Sequence, residues 1–399
     1  MRETDLQRSA RLAPTRKRTL ISAMISVLLL SAGACDAPEP AGVAGAGQLR
    51  LGAVLGSDNT SGFQRAEGVV PLVFPEDLGA HPAFRSEWWY LTLLLEADAA
   101  SAATSEFGVQ FTLFRQALTP ARPVSDNAWL TPQVFLAHFA LTDVGQQSHR
   151  AYERAARGHP QLAGVQARPF RAWLEDWVLE ADARNPDVWR LRLLSGAGGA
   201  APDAVNLTLD AGAPPILQGD AGLSWKGPDQ ASYYYSVPRM PVKGTLTSAG
   251  ENYAVTGSGW LDREWSTSVL GAGQVGWDWF ALTLDDGRSL MVFQLRRDDG
   301  GRDDFDQGLL IDAAGGSRHL SARDFTLTPL RYWRDGRGVN WPVEWTLSVD
   351  GSQYRLAAAV DDQRMNTTIT YWEGLIDVLS PSGERSGRGY MELTGYERE

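Results

Sequence analysis

Acidic and aromatic side chains are concentrated in two short stretches of the chain, residues 257–265 and 276–280. A carboxyl group that is buried among indole rings loses the solvation of its charged form, which raises its pKa. Such a group can carry a proton near neutral pH and act as a general acid. The stretches hold three carboxylates and four tryptophans: Asp262, Glu264, Asp278, Trp260, Trp265, Trp277 and Trp279.

The geometry of a β-strand decides which of these side chains can act together. Side chains along a strand alternate between two faces, so Trp260, Asp262 and Glu264 would share one face. Two interpretations of Asp262 remain open, and both also apply to Glu264. It is either a proton donor in catalysis or a carboxylate that pairs with Arg263 or a backbone N–H and holds the fold.

Other kinds of catalytic chemistry have no support in the sequence. There is no Gly-x-Ser-x-Gly nucleophile motif, no His-Glu-x-x-His motif and no glycine-rich phosphate loop. The five histidines lack the spacing of metal ligands, and the chain has one cysteine. We therefore predict no metal and no cofactor, and we expect any reaction to depend on proton transfer.

The N-terminal residues are typical of an export signal. Basic residues 16–18 precede an apolar run, residues 20–30, which is too short for a mature membrane span. Small residues and then Cys35 follow, which resembles a bacterial lipobox. We predict a lipoprotein signal peptide over residues 1–34 with lipidation at Cys35; an ordinary secretory signal cleaved near Ala34 is the alternative.

Composition indicates how the exported part of the chain is arranged and which partners its charge disfavours. Residues 35–62 are rich in Ala, Gly, Pro and Ser, which predicts a flexible tether between the lipid anchor and the fold. The chain has a net charge of −11 although its signal is basic. A strongly acidic surface argues against nucleic acid as a partner. We expect a periplasmic or cell-surface lipoprotein that is anchored in a membrane.

From residue 63 onward, the pattern of apolar residues predicts an all-β fold. Short runs rich in Val, Leu, Phe, Thr, Trp and Tyr alternate with period two and are separated by turn residues. Asp-Gly pairs at residues 286–287 and 350–351 are typical of hairpin turns. Many meandering antiparallel strands indicate barrels or sandwiches.

Several motifs in the same order and spacing resemble the AttH/carotenoid 1,2-hydratase-like family, whose members are often described as predicted secreted hydrolases. The motifs lie at residues 74–90, 110–115, 137–143, 234–246, 259–266, 276–280 and 389–396. The resemblance implies two lipocalin-like antiparallel β-barrels in tandem, which we assign to residues 63–236 and 237–399. It also implies an activity like that of the relatives that hydrate carotenoid double bonds. At the Asp262 motif those hydratases carry a Tyr-His pair where this chain has Trp260 and Leu261, and Asn where it has Glu264.

Aromatic and polar residues near these motifs are our candidates for ligand binding: Glu87, Trp89, His138, Tyr233, Tyr235, Trp260 and Trp279. Structural roles are the alternatives for four of these positions. Glu87 could pair with Arg85 or Arg115, His138 could be a satisfied core histidine, and the tyrosines could join the two barrels.

The predicted function combines these observations. We expect a hydrophobic small molecule, isoprenoid- or lipid-like, to bind near the joint of the barrels or within the first barrel. Asp262 and Glu264 are the candidate catalytic residues for an acid-catalysed hydration or isomerisation of an alkene. A periplasmic carrier that binds such a molecule without changing it is the alternative.

Overall fold

The computed structural model describes residues 60–97, 105–121, 127–196 and 201–397. These residues form antiparallel strands and one 3-10 turn, Glu76–Leu78. Within them, no helix is long and apolar enough to cross a membrane. The predicted signal peptide, Cys35 and most of the predicted tether lie outside the described residues.

The first sheet contains the thirteen earlier strands of the described residues, in the order β4-β3-β2-β1-β13-β12-β9-β8-β7-β6-β5, with β10 and β11 paired to β12. The strands are β1 (Ser86–Ala97), β2 (Glu106–Ala117), β3 (Gln133–Asp143), β4 (Ser148–Arg157), β5 (Ala163–Ala167), β6 (Phe170–Leu174), β7 (Trp177–Ala181), β8 (Val188–Leu194), β9 (Ala204–Asp210), β10 (Ile216–Leu217), β11 (Leu223–Gly227), β12 (Gln230–Ser248) and β13 (Glu251–Ser266).

The second sheet contains the ten later strands of the described residues, in the order β17-β16-β15-β14-β23-β22-β20-β19-β18, with β21 paired to β22. The strands are β14 (Gln274–Leu284), β15 (Ser289–Arg297), β16 (Gln307–Ile311), β17 (Ser317–Ser321), β18 (Phe325–Arg334), β19 (Asn340–Val349), β20 (Ser352–Ala358), β21 (Arg364–Asn366), β22 (Thr370–Leu379) and β23 (Arg385–Leu393).

Each sheet curls around a hydrophobic core of its own, which gives the predicted all-β fold of two lipocalin-like barrels. Leu91, Leu93 and Leu261 belong to the first core, and Phe280 and Trp345 belong to the second. The predicted Asp-Gly turn between β19 and β20 is present. Asp350 and Gly351 have φ angles of 52° and 73°, as a two-residue I′ turn requires.

A further apolar layer lies where the two barrels meet. Tyr90 of β1 and Trp260 of β13 turn away from the first core and pack with Trp279 of β14 and Tyr390 of β23. Strands in this layer are therefore buried on both faces, as in β1. In β8, by contrast, buried and exposed residues alternate, because one face meets solvent.

Sheet membership divides the chain later than the predicted joint between residues 236 and 237. Those residues lie inside β12, which continues to Ser248 and pairs with β13 over most of its length. The chain leaves the first sheet after Ser266 and enters the second at Gln274. The pairing of β12 with β13 is continuous except for a register shift between Val237 and Met240, so both strands belong to the first barrel.

Candidate active site

A small pocket lies between the two barrels and collects most of the chemistry that the sequence suggested. Its free volume is about 50 Å³. At roughly 10–15 Å³ per water molecule, this admits a few waters or one small group of a larger molecule. Its walls include three carboxyl groups, one ammonium group, three tryptophans and three tyrosines: Asp262, Glu264, Glu392, Lys226, Trp88, Trp277, Trp279, Tyr90, Tyr234 and Tyr371.

The register of three neighbouring strands builds the first-barrel wall of the pocket. Asp262 of β13 lies opposite Tyr90 of β1 and Ser236 of β12. Glu264 lies opposite Trp88 and Tyr234 in the same two strands. Because cross-strand partners point to the same face of a sheet, these side chains converge on the second barrel.

The predicted alternation within residues 257–265 is present. Asp262 and Glu264 face the pocket, and Trp260 lies on the same side of β13. Leu261 and Trp265 belong to the core of the first barrel. The sequence pattern therefore placed both candidate acids on one face of the strand, together with Trp260.

Asp262 is almost fully buried and accepts hydrogen bonds only from neutral groups. Its donors are the Tyr234 hydroxyl at 2.5 Å, the indole Nε1 of Trp260 at 2.7 Å and the Ser236 hydroxyl. Burial, together with the charge of Glu264, raises the pKa of Asp262 to about 7, although the three hydrogen bonds favour the carboxylate. Near neutral pH, the protonated and the ionised forms of Asp262 are therefore both populated.

Glu264 also lines the pocket but has a different environment. Its carboxylate lies 3.0 Å from the Lys226 ammonium group and accepts a hydrogen bond of 2.5 Å from the Ser232 hydroxyl. Lys226 also lies over the ring of Phe293, 4.3 Å from the ring centroid. Glu264 is therefore suited to hold the ammonium group of Lys226 in place. Asp262 is the better of the two predicted acids for proton donation.

The second barrel contributes an acid that sequence reasoning missed. Glu392 of β23 lies opposite Trp279 of β14, and its pKa is raised to about 8 by burial and by the charges of Asp262 and Glu264, against a hydrogen bond from Trp277. Glu373, its cross-strand partner in β22, is fully buried and accepts a hydrogen bond of 2.5 Å from Tyr90. Burial and the charge of Glu392 raise the pKa of Glu373 well above its usual value.

Four of the predicted ligand-binding residues do not reach this pocket. Trp89, Tyr233 and Tyr235 point into the core of the first barrel. Glu87 lies on the same inner face and pairs with Arg115 and Arg263. Their positions follow from the pleat, because each is one residue away from a neighbour that faces the pocket.

The remaining predicted ligand-binding residues lie in or beside the pocket. Trp279 lines it, and Trp260 holds Asp262 through its indole N–H. His138 is fully buried directly behind the wall, where its Nδ1 lies 2.8 Å from the Tyr371 hydroxyl. The carboxylate and indole pattern could have identified Trp277, but Lys226, Tyr371 and Glu392 come from distant strands and carried no spacing signal.

The arrangement can supply a proton and stabilise a cation. Two carboxyl groups with raised pKa values, Asp262 and Glu392, face the same small volume. Electron-rich faces of tryptophan and tyrosine surround them, and such faces attract a cation by about 2 kcal/mol when water is excluded. Acid-catalysed chemistry at an alkene needs both elements.

The fold and the pocket together define a class: double-barrel, lipocalin-like proteins with an acidic, aromatic pocket between the barrels. The AttH-like family model matches residues 65–396. The chain therefore belongs to the AttH-like family, as the motifs predicted. A search of curated protein sequences finds no match to this chain.

Two solved structures share the architecture. An AttH candidate protein from Nitrosomonas europaea is 32% identical, with a TM-score of 0.70, and the match covers 84% of this chain and 100% of that one. Kievitone hydratase from Nectria haematococca is 15% identical, with a TM-score of 0.60, over 84% of this chain and 96% of that one. At that identity the second similarity establishes a shared fold.

Proposed function

We propose that this protein binds an apolar isoprenoid- or lipid-like molecule and catalyses acid-dependent hydration or isomerisation of its alkene in the pocket between the barrels. The observation that carries the proposal is the Asp262 carboxyl, buried among aromatic rings with a pKa raised to about 7. A shared fold with a hydratase supports the same reaction class. The small free volume suits the alkene end of the molecule, not its whole length.

Asp262 is the proton donor in this proposal. Protonation of the alkene by its carboxyl forms a C–H bond and leaves a carbocation, which the neighbouring indoles stabilise. Loss of a different proton from the cation gives an isomerised alkene, and addition of water gives an alcohol. Glu392, with its pKa about 8, stays largely protonated at pH 7 and keeps a second negative charge out of the pocket.

The test uses farnesol, squalene and lycopene as probes in D₂O, with mass spectrometry of both recovered alkene and product. We expect the wild type to introduce deuterium and Asp262→Asn to lose this activity by about 10²- to 10⁴-fold, the usual contribution of a general acid. Glu392→Gln should lose much less, since Gln resembles the neutral acid.

The matched control is Asp278→Asn, because Asp278 is also buried with a pKa raised to about 6. Asp278 accepts hydrogen bonds from Tyr396 and Gln294 and does not line the pocket. Deuterium incorporation that persists in Asp262→Asn would show that Asp262 is not the acid.

A second cavity favours the carrier function as the alternative. It has a volume of about 550 Å³ and lies beside the 3-10 turn, with mostly apolar walls that include Phe74, Leu78, Phe170, Trp189 and Val237. Cavities of roughly 300–1,000 Å³ are typical of small-molecule sites. This cavity contains none of the acids of the pocket between the barrels, so a ligand there would be held without reaction.

Two variants, each with a tryptophan that fills one cavity, distinguish the two binding sites. Ala181→Trp places an indole in the larger cavity, and Leu295→Trp places one in the pocket between the barrels. The probe is N-phenyl-1-naphthylamine, whose fluorescence rises in apolar sites. Binding that only Ala181→Trp abolishes would favour the carrier, and binding that only Leu295→Trp abolishes would favour the catalytic pocket.

Export and membrane anchoring at Cys35 belong to the proposal as well, and they rest on the sequence of residues 1–35. Cys35→Ser should move the protein from the membrane fraction to the soluble extracytoplasmic fraction. A variant that stays membrane-bound would show that another anchor exists.

A further inference from the structure

Three side chains connect the pocket between the barrels with the protein surface. Tyr371 of β22 lines the pocket, and its hydroxyl lies 2.8 Å from Nδ1 of His138 in β3. The other ring nitrogen of His138, Nε2, lies 3.0 Å from the carboxylate of Glu153 in β4. His138 is fully buried, whereas 19% of the Glu153 side chain is exposed.

The direction of the hydrogen bonds follows from the carboxylate. Burial alone would raise the pKa of Glu153, but hydrogen bonds from His138 and Thr368 hold it below its usual value, so Glu153 is ionised. A carboxylate only accepts, so Nε2 of His138 donates the hydrogen bond to Glu153, which favours the Nε2–H tautomer. Nδ1 is then the acceptor, and the Tyr371 hydroxyl donates to it.

The position of the three groups is set by both barrels. His138 and Glu153 are direct cross-strand partners in the first sheet, and Thr368, near the start of β22, donates to Glu153 through its backbone N–H and its hydroxyl. The ring of Phe114 packs edge-on against His138, with centroids 5.6 Å apart. The imidazole thus has one orientation, with its acceptor nitrogen towards the pocket wall.

We propose that Tyr371, His138 and Glu153 form a proton relay that completes hydration by removing the proton of the attacking water. This inference rests on the proposed function, in which Asp262 supplies the other proton. The oxonium formed by attack of water must lose a proton, and the relay provides an acceptor for it, at Tyr371, that is separate from the Asp262 carboxylate.

The step balances in atoms and charge. The alkene takes a proton from Asp262, and a water oxygen then forms the C–O bond to the carbocation. The water gives a proton to the Tyr371 oxygen as Tyr371 gives its own proton to Nδ1 of His138. The alcohol leaves, the imidazolium beside Glu153 returns its excess proton to solvent, and solvent reprotonates Asp262.

The relay predicts a change in product ratio that a purely structural histidine does not. Without it, the carbocation still forms but loses a proton back to the pocket instead of gaining water. With farnesol in D₂O, Tyr371→Phe, His138→Gln and Glu153→Gln should keep deuterium exchange into recovered alkene. Alcohol formation should fall by about 10²-fold in the first two variants, the usual effect of losing an acid–base group, and by less in Glu153→Gln.

Matched controls come from groups outside the pocket. His149→Gln changes a partly buried histidine of β4, which bonds Thr142, and Tyr354→Phe changes a buried tyrosine of the second barrel. Both should keep the wild-type ratio of alcohol to deuterated alkene. If His138→Gln fails to fold, Glu153→Gln and Tyr371→Phe carry the test.

Each outcome decides a different question. A rise in deuterated alkene relative to alcohol in the three variants supports the relay. An unchanged ratio overturns the relay and leaves the acid role of Asp262 standing. Wild-type protein that exchanges no deuterium into farnesol, squalene or lycopene overturns the proposed function and the relay with it.

Discussion

Glu87 and Asp262 are two buried carboxyl groups on adjacent, paired strands, and their surroundings have opposite effects. Glu87 of β1 points into the first barrel, where it pairs with the guanidinium groups of Arg115 and Arg263. Those charges hold its pKa well below the usual value although burial alone would raise it. Asp262 of β13 faces the pocket, forms no ion pair within the described part of the chain and has its pKa raised to about 7.

The comparison shows that burial alone does not make a carboxyl group a proton donor. Fixed cations turn Glu87 into a permanent anion that stabilises the barrel interior. Neutral donors leave Asp262 near the midpoint of its titration, which general acid catalysis at neutral pH requires. The four-residue stretch from Glu87 to Tyr90 contributes to both environments, because successive side chains enter opposite faces of β1.

Removal of the charge of Glu87 should have the largest effect on stability. Glu87→Gln leaves two buried arginines without a counter-charge, and breaking a buried ion pair usually costs about 3 to 5 kcal/mol. Asp262→Asn should cost less than about 2 kcal/mol, since it removes no cation's partner. The measurement is urea unfolding of both variants at pH 7, and equal losses would contradict the distinction.

The next largest difference between Asp262 and Glu87 should be in how each carboxyl group makes stability depend on pH. The pKa of Asp262 lies above its unfolded value of about 3.8, so the folded state binds a proton more tightly than the unfolded state. Its stabilising contribution is complete below pH 3.8 and is lost as pH rises towards 7. Glu87, with a lowered pKa, contributes fully above about pH 4.5 and loses this as pH falls.

Unfolding free energies between pH 5 and pH 8 test this sign. Asp262→Asn should remove part of the decline in stability with rising pH, by up to about 1.4 kcal/mol for each unit of pKa shift. Asp278→Asn is the control for a general effect of removing a buried acid. It should flatten the pH dependence of stability over a lower pH range, because the pKa of Asp278 is about 6. A wild-type slope that Asp262→Asn leaves unchanged would mean that Asp262 is ionised throughout.

Much of the fold could be predicted from the sequence because local patterns determine it. Period-two alternation and Asp-Gly turns indicated the strands, and the motifs indicated the family. The boundary between the barrels was harder to predict, because the strand that passes through the predicted position shows no break in composition. β12 passes through residues 236 and 237 with one irregularity, at Arg239, whose φ is 55°. Sheet membership depends on pairing with β13, which no local pattern records.

The candidate site could be predicted only in part, for a similar reason. Alternation placed Asp262 and Glu264 together, but in the runs Trp88-Trp89 and Tyr233-Tyr234-Tyr235 it did not say which residue faces the pocket. That choice depends on the registers of Tyr90 with Asp262 and of Tyr234 with Glu264. Glu392, which lies more than a hundred residues further along the chain, reaches the pocket through the pairing of β23 with β14.

The smallest expected effect sharpens the comparison by changing one neutral donor at Asp262. Tyr234→Phe removes the hydroxyl that lies 2.5 Å from Asp262 and keeps the aromatic wall. A hydrogen bond to a carboxylate favours its charged form, so its loss should raise the pKa of Asp262 by about one unit, the equivalent of about 1.4 kcal/mol. Tyr233→Phe, one residue away but inside the first barrel, is the control and should leave this pKa unchanged. The measurement is a ¹³C NMR titration of the Asp262 carboxyl. A pKa that stays the same in Tyr234→Phe would show that the Tyr234 hydroxyl does not help to determine the protonation of Asp262.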